Sequence, residues 1–273
     1  MKKIILGALT PLMLFGLLAC SDGQAEVDAQ ISNDVNPEIQ AILDNGALRV
    51  GVKNDAPKLG YYNAATGQYE GLEIDLANML AERIFNESGR IDLRAVTADN
   101  RGTLLSNGDL DMVIATFTIR DERKEFWNFS QPYFTGSAGL LVEKDAGLNS
   151  LEDFDGRTIA VTKGSVTQNA IETQIAEKGL DITPIFVEFP TNLDCAEALD
   201  AGQVDAFSVD KAILAGYLTD TRVILPYAFK PQEYGIATRL NSPYLTRFVD
   251  DFISEIKADG TLENLVQENG LVQ

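Results

Sequence analysis

Hydrophobic positions along this chain follow two rhythms that alternate from one segment to the next. Residues 47–53 form a short β-rich run, read as a first strand, and Leu72–Phe85 carries Leu72, Leu76, Met79, Leu80 and Ile84 on one helical face. Residues 91–96 read as a second strand. Residues 100–106 read as a short helix closed by Asn107 and Gly108, and residues 111–116 as a third strand. After Asp145 the alternation restarts. Strands are predicted at 158–162, 182–188 and 204–209, with helices at 166–178 and 193–201 ended by Gly179 and Gly202. Residues 243–273 are read as helical, with Leu245, Phe248, Val249, Phe252 and Ile256 forming an apolar stripe that must dock on a body.

Strands alternating with amphipathic helices predict an α/β fold with mainly parallel sheets. The two halves share a layout, so two lobes with a cleft between them is the economical arrangement. In open α/β sheets ligands bind beyond the C-terminal ends of strands, and those ends carry Lys53, Thr116, Thr162 and Asp210.

The N-terminus has a different pattern. Lys2 and Lys3 precede an uncharged apolar run, residues 4–18, which ends in Leu17-Leu18-Ala19-Cys20. This reads as a signal peptide over residues 1–19, too short for a comfortable membrane span. Leu-Leu-Ala-Cys resembles the bacterial lipobox, which implies a lipidated Cys20, an exported chain and a lipid anchor facing the periplasm or cell exterior. Residues 21–36 are polar, acidic and free of aromatics, as a flexible tether would be.

Composition narrows the function classes. A net charge of −19 disfavours nucleic acid and anionic lipid as partners, and makes any cation held in a pocket notable. With Cys20 carrying lipid, Cys195 has no disulfide partner. The chain has no histidine, which removes His-dependent triads, His-ligated zinc and His acid–base catalysis. No cofactor and no metal are expected.

The stretch from Ala115 to Lys124 leaves a buried strand with Thr116 and Thr118 on one face, and Arg123 follows within reach of it. A guanidinium fork with hydroxyls and backbone N–H groups suits a carboxylate; a surface salt bridge of Arg123 with Glu122 or Asp121 is the plain alternative. Thr162-Lys-Gly-Ser-Val-Thr167 joins a strand to a helix N-terminus, where Ser165 either caps the helix or helps hold an anion. Asp210 either pairs with a ligand ammonium or caps the helix after it.

The segments Gly51-Val-Lys-Asn, Gly71-Leu-Glu-Ile-Asp-Leu, Arg101-Gly-Thr-Leu-Leu-Ser-Asn-Gly, Asn128-Phe-Ser-Gln-Pro-Tyr-Phe and Gln232-Glu-Tyr-Gly-Ile resemble the polar amino-acid-binding proteins of ABC importers, solute-binding protein family 3. That resemblance implies a two-lobed, type II periplasmic-binding-protein-like fold. It also implies lobe boundaries: a lipidated Cys and tether over residues 20–45, a discontinuous first lobe of 46–136 plus 236–273, and a second lobe of 137–235. Arg123 then looks like the clamp on the ligand α-carboxylate, helped by Thr118, Ser165 and Val166. Asp210 looks like the ammonium partner, with Thr116 and Thr118 adding hydrogen bonds. Lys53 stands where glutamine binders carry an aspartate, and the context of Arg101 resembles the aspartate/glutamate branch. Two inward cations would read an acidic side chain. Ala98, Arg120 and Asn192 depart from the pattern and leave ligand length open, and pairing of one cation with Asp99 or a Glu would point to a neutral ligand such as glutamine or cystine. Binding without catalysis is expected. Closure would turn about Ser137 and Tyr234, and the chain would act as a monomer that delivers an amino acid to a membrane permease. The rival is a dehydratase-type enzyme on the same fold, with Glu73 as its candidate acid–base group.

Overall fold

The computed structural model describes residues 36–226 and 229–271. The signal peptide, Cys20 and residues 21–35 lie outside them. Residues 37–45, part of the expected tether, instead form helix α1 (Pro37–Asn45), because Ile39 and Ile42 have a core to enter. Glu38 ties this helix to the C-terminal part of the chain by accepting from the Leu245 amide at 2.8 Å.

The first lobe is built on a five-stranded sheet. Its strands are β1 (Leu48–Val52), β5 (Ile91–Ala95), β6 (Met112–Ile114), β7 (Trp127–Phe129) and β14 (Ala237–Arg239), in the order β5-β1-β6-β14-β7. A small antiparallel meander of β2 (Asp55–Ala56), β3 (Gly60–Asn63) and β4 (Gln68–Glu70) lies between β1 and helix α2 (Leu72–Phe85). This meander carries too few apolar alternations to be read from pattern. α2 begins after Gly71, whose φ of 116° and closeness to the Leu59 carbonyl leave no room for a side chain. It buries Leu72, Leu76, Leu80 and Ile84, as its periodicity requires, and ends at Asn86 in the left-handed conformation. Helices α3 (Arg101–Ser106) and α4 (Asp121–Lys124) flank β6 and β7.

The second lobe carries the sheet β10-β9-β11-β8-β12, made of β8 (Phe134–Glu143), β9 (Thr158–Thr162), β10 (Ile185–Phe189), β11 (Ala206–Asp210) and β12 (Arg222–Ile224). Strand β13 (Pro231–Tyr234) pairs with the start of β8, placing Ser137 opposite Pro231 and Tyr234 opposite Phe134. Helices α5 (Thr167–Lys178), α6 (Asn192–Asp200) and α7 (Lys211–Leu214) follow β9, β10 and β11. Both sheets are mixed rather than mainly parallel. β14 runs antiparallel to β6 and β7, and β8 antiparallel to β11, β12 and β13, because β8 carries the chain into the second half and β13 and β14 return it. The C-terminal stripe is two helices, α8 (Pro243–Ala258) and α9 (Thr261–Glu268), broken at Gly260 with φ 83°.

The repetition of layout extends to one hydrogen-bonding device. In each lobe an aspartate follows a helix-ending glycine by three residues: Asp111 after Gly108 and Asp205 after Gly202. Asp111 accepts the Arg49 amide at 2.9 Å, and Asp205 accepts the Thr158 amide at 2.7 Å. Each carboxylate thus satisfies a backbone donor at the start of the neighbouring strand.

Candidate functional site

The strand ends of both sheets converge on one cavity between the lobes. Lys53, Ala98, Arg101, Thr116 and Thr118 line it from the first lobe; Thr162, Ser165, Val166, Asn192 and Asp210 line it from the second. Gln232 and Tyr234, on the strand pair between the lobes, complete it. Seven of the eight sequence-predicted ligand residues therefore meet in one place; Arg123 lies beside it.

Asp210 fulfils both of its sequence readings with different oxygens. Oδ1 accepts the Ala212 amide at 2.8 Å and caps α7, while Oδ2 is buried without a hydrogen-bond partner. Burial pushes this carboxyl up to about 6, against the Ala212 N–H, the nearby Tyr234 hydroxyl and Lys211. Gly136 makes the placement possible: a Cβ there would stand 2.0 Å from Oδ2. The carboxylate occupies the volume that a side chain on β8 would fill.

Below the first-lobe wall lies a buried polar cluster. Thr116 has a φ of 48°, costly for a β-branched residue, and is held there from two sides. Its amide donates to Glu73 Oε1 at 2.5 Å, and its carbonyl accepts from Arg101 Nη1 at 3.2 Å. Tyr133 donates to the same Glu73 oxygen at 2.5 Å. Glu73 is fully buried, and its carboxyl is raised by that burial. It supports the wall from behind and is not among the cavity-lining residues. Arg101 also donates to the Ala115 carbonyl and stacks 4.1 Å from the Phe117 ring centroid. Burial and the neighbouring Arg123 lower its guanidinium to about 9, so it remains charged at neutral pH. Its Nε has no partner.

Lys53 is not the free cation that the sequence reading required. Its ammonium lies 2.8 Å from Asp55 Oδ1, with both side chains buried. The partner is neither Asp99, which pairs with Lys163, nor a glutamate. Asp55 Oδ2 accepts the Asn192 amide of the opposite lobe at 2.7 Å. The Asn192 side chain in turn accepts from the Thr162 hydroxyl at 2.7 Å. Asp55 was absent from the sequence-derived site. Its i, i+2 spacing from Lys53, across a bend at Asn54, was the available signal.

Arg123 is half-buried and pairs with neither Glu122 nor Asp121. Its guanidinium donates to the Thr118 carbonyl at 2.9 Å and to the Gly164 carbonyl of the other lobe at 3.3 Å. It lies 4.8 Å from the Phe117 ring centroid, and burial together with Arg120 lowers it to about 10. Ser165 donates its own amide to the Thr162 carbonyl at 3.0 Å, so that N–H is engaged in a turn. Gly164, with φ 74°, lies so close to Asp99 that a Cβ would meet the Asp99 Cα at 2.8 Å. The lobes are closed on each other.

The chain matches the bacterial extracellular solute-binding proteins, family 3, over residues 48–270. It belongs to that family. This solute-binding protein is 30% identical over 271 residues to the ABC transporter glutamine-binding protein GlnH of Bacillus subtilis (strain 168), covering 98% of this chain and 97% of that one. It is 32% identical over 244 residues to the glutamate-binding protein GluB of Corynebacterium glutamicum, covering 84% and 80%. Among solved structures it resembles the P235GK mutant of ArgBP from T. maritima, with a TM-score of 0.75, 27% identity, and coverage of 85% of this chain and 98% of that one. The family's role is solute capture outside the cytoplasm, and the two-lobed α/β fold is the one expected.

Proposed function

We propose that this protein captures an acidic amino acid, glutamate or aspartate, and delivers it to the membrane permease of an ABC importer. One observation carries the reading: a single closed cavity holds an unpartnered, buried Asp210 oxygen together with Lys53, Arg101 and Asn192. Asp210 Oδ2 is suited to the α-ammonium, with Thr116 and Thr118 near it. Arg123, which now rests on two backbone carbonyls, turns to the α-carboxylate when ligand is present. Lys53 and Arg101 meet the side-chain carboxylate. Leaving either end of a zwitterion unpaired in so buried a place would cost several kcal/mol, so such a constellation selects amino acids over neutral solutes.

The Lys53–Asp55 pair favours a second reading, glutamine, because half of the cationic character is already compensated. Relatives named for glutamine and for glutamate both stand at about this level of identity. Calorimetric titration of the purified protein with glutamate, aspartate, glutamine and cystine decides. Tight binding of the acids supports the first reading and tight glutamine binding the second; if only cystine binds, both are wrong. Cys20 is proposed to carry the lipid anchor, which metabolic labelling with a tagged fatty acid tests; an unlabelled mature chain removes it.

A further inference from the structure

Asp55 joins three things that ligand recognition otherwise keeps apart. Its Oδ1 holds the Lys53 ammonium at 2.8 Å, its Oδ2 receives the Asn192 amide at the start of α6 at 2.7 Å, and its backbone carbonyl accepts the Tyr217 hydroxyl at 2.7 Å. The last two bonds cross between the lobes. The next residues reinforce the contact: a Cβ on Gly216 would lie 2.4 Å from Pro57, so the backbones there approach as closely as a missing side chain allows. Both carboxylate oxygens of Asp55 face buried donors, and the side chain is almost sealed from solvent.

We infer that Asp55 is the residue that sets how strongly the cavity discriminates a carboxylate from a carboxamide at the end of the ligand side chain, acting as a positioning residue through Lys53. This rests on the function proposed above. An ammonium has three donors. Asp55 compensates the charge of this one in direct ionic contact, its Oδ1 lying outside hydrogen-bond geometry with it. A ligand carboxylate must share the cation with Asp55 and meets its negative charge just behind; a ligand amide oxygen meets a donor whose charge is largely compensated. The same carboxylate reaches the α6 N-terminus only when the lobes are closed, so the Lys53 ammonium is fixed most firmly in the state that encloses ligand.

Removing that negative charge tips the balance toward acids. Asp55→Asn retains an acceptor for the Asn192 amide but frees the Lys53 charge for the ligand. The ratio of glutamine to glutamate dissociation constants, and of asparagine to aspartate, is expected to rise tenfold or more over wild type. A tenfold change corresponds to about 1.4 kcal/mol. A structural role alone would weaken both members of each pair equally. In a Lys53→Gln background, Asp55→Asn should leave the ratio unmoved, since its route is gone. That double variant also leaves no uncompensated buried charge, and circular dichroism confirms that each variant is folded. Binding measured by calorimetry with the ratio unchanged in Asp55→Asn overturns this inference alone, and so does a shift that persists in the Lys53→Gln background. Wild-type protein that binds no member of either pair overturns the proposed function and the inference with it.

Discussion

Replacing Gly136 with alanine tests the assignment of Asp210 without touching a group that contacts ligand. Gly136 lies on β8, two residues before Ala138, which pairs with Asp210 in the sheet. Its φ is not in the left-handed region, so alanine carries no backbone penalty there. The added methyl, however, would stand 2.0 Å from Asp210 Oδ2 and 2.7 Å from Cγ. Something must move, and the side-chain carboxylate moves more easily than two hydrogen-bonded strands. Overpacking of this kind costs about 1–3 kcal/mol of stability. For a domain of this size that lowers Tm by less than about 10 °C. Binding should suffer more. An ammonium left in a closed cavity without its carboxylate costs about 3–5 kcal/mol, and partial relaxation still leaves a loss of at least about 100-fold in affinity. Calorimetric titration at neutral pH, with circular dichroism to confirm folding, measures both effects. Asp210→Asn should lose a similar amount, and the two changes together should lose little more than either alone, since they remove one interaction. A folded Gly136→Ala protein binding within threefold of wild type would refute the role given to Asp210.

The remaining expectations concern charge and closure. Because Asp210 is raised to about 6 in the ligand-free protein and an ammonium requires it ionised, affinity should fall below pH 6, by roughly tenfold between pH 7 and pH 5; a flat profile from pH 7 to 5 contradicts the pairing. The matching stability change has the opposite sense: the folded carboxyl holds its proton more tightly than the unfolded one, so its contribution declines as pH rises from 3.8 to about 6, by about 3 kcal/mol, and ligand relieves that loss. Denaturant titrations at pH 4 and pH 7, with and without ligand, read this out. Arg123→Ala should reduce affinity at least 100-fold while leaving Tm within a few degrees, since the side chain is half-buried; undiminished affinity means the carboxylate is held elsewhere. Gly164→Ala should weaken binding by hindering closure against Asp99, visible as a larger radius of gyration in small-angle scattering with ligand present. Full compaction in that variant would place the closing contact elsewhere.

The α/β class and the α2 helix at Leu72–Phe85 were legible from apolar residues at the helical period, and the strand at Thr158–Thr162 as a short apolar run buried on both faces. The hairpins near residue 60, the mixed strand directions and the break at Gly260 were not, because short or edge strands bury too little to impose a pattern. At the site, Asp210 and Thr116 could be placed by their position at strand ends. The pairing of Lys53 could not, since the sequence names charges but not the distances at which they compensate one another. The left-handed Thr116 was also invisible: nothing local favours it, and only Glu73 and Arg101, brought in by other elements, hold it.

The placement of β14 bears on how the chain reaches this form after export. The second sheet is assembled entirely from residues 134–234, so it can complete itself as soon as that continuous stretch has crossed the membrane. The first cannot: β6 and β7 are separated by the strand at 237–239, which arrives last. Until it does, both neighbours present open edges, the condition under which chains pair with one another instead of with themselves. In this architecture the final strand is the keystone of the half that comes first in the chain.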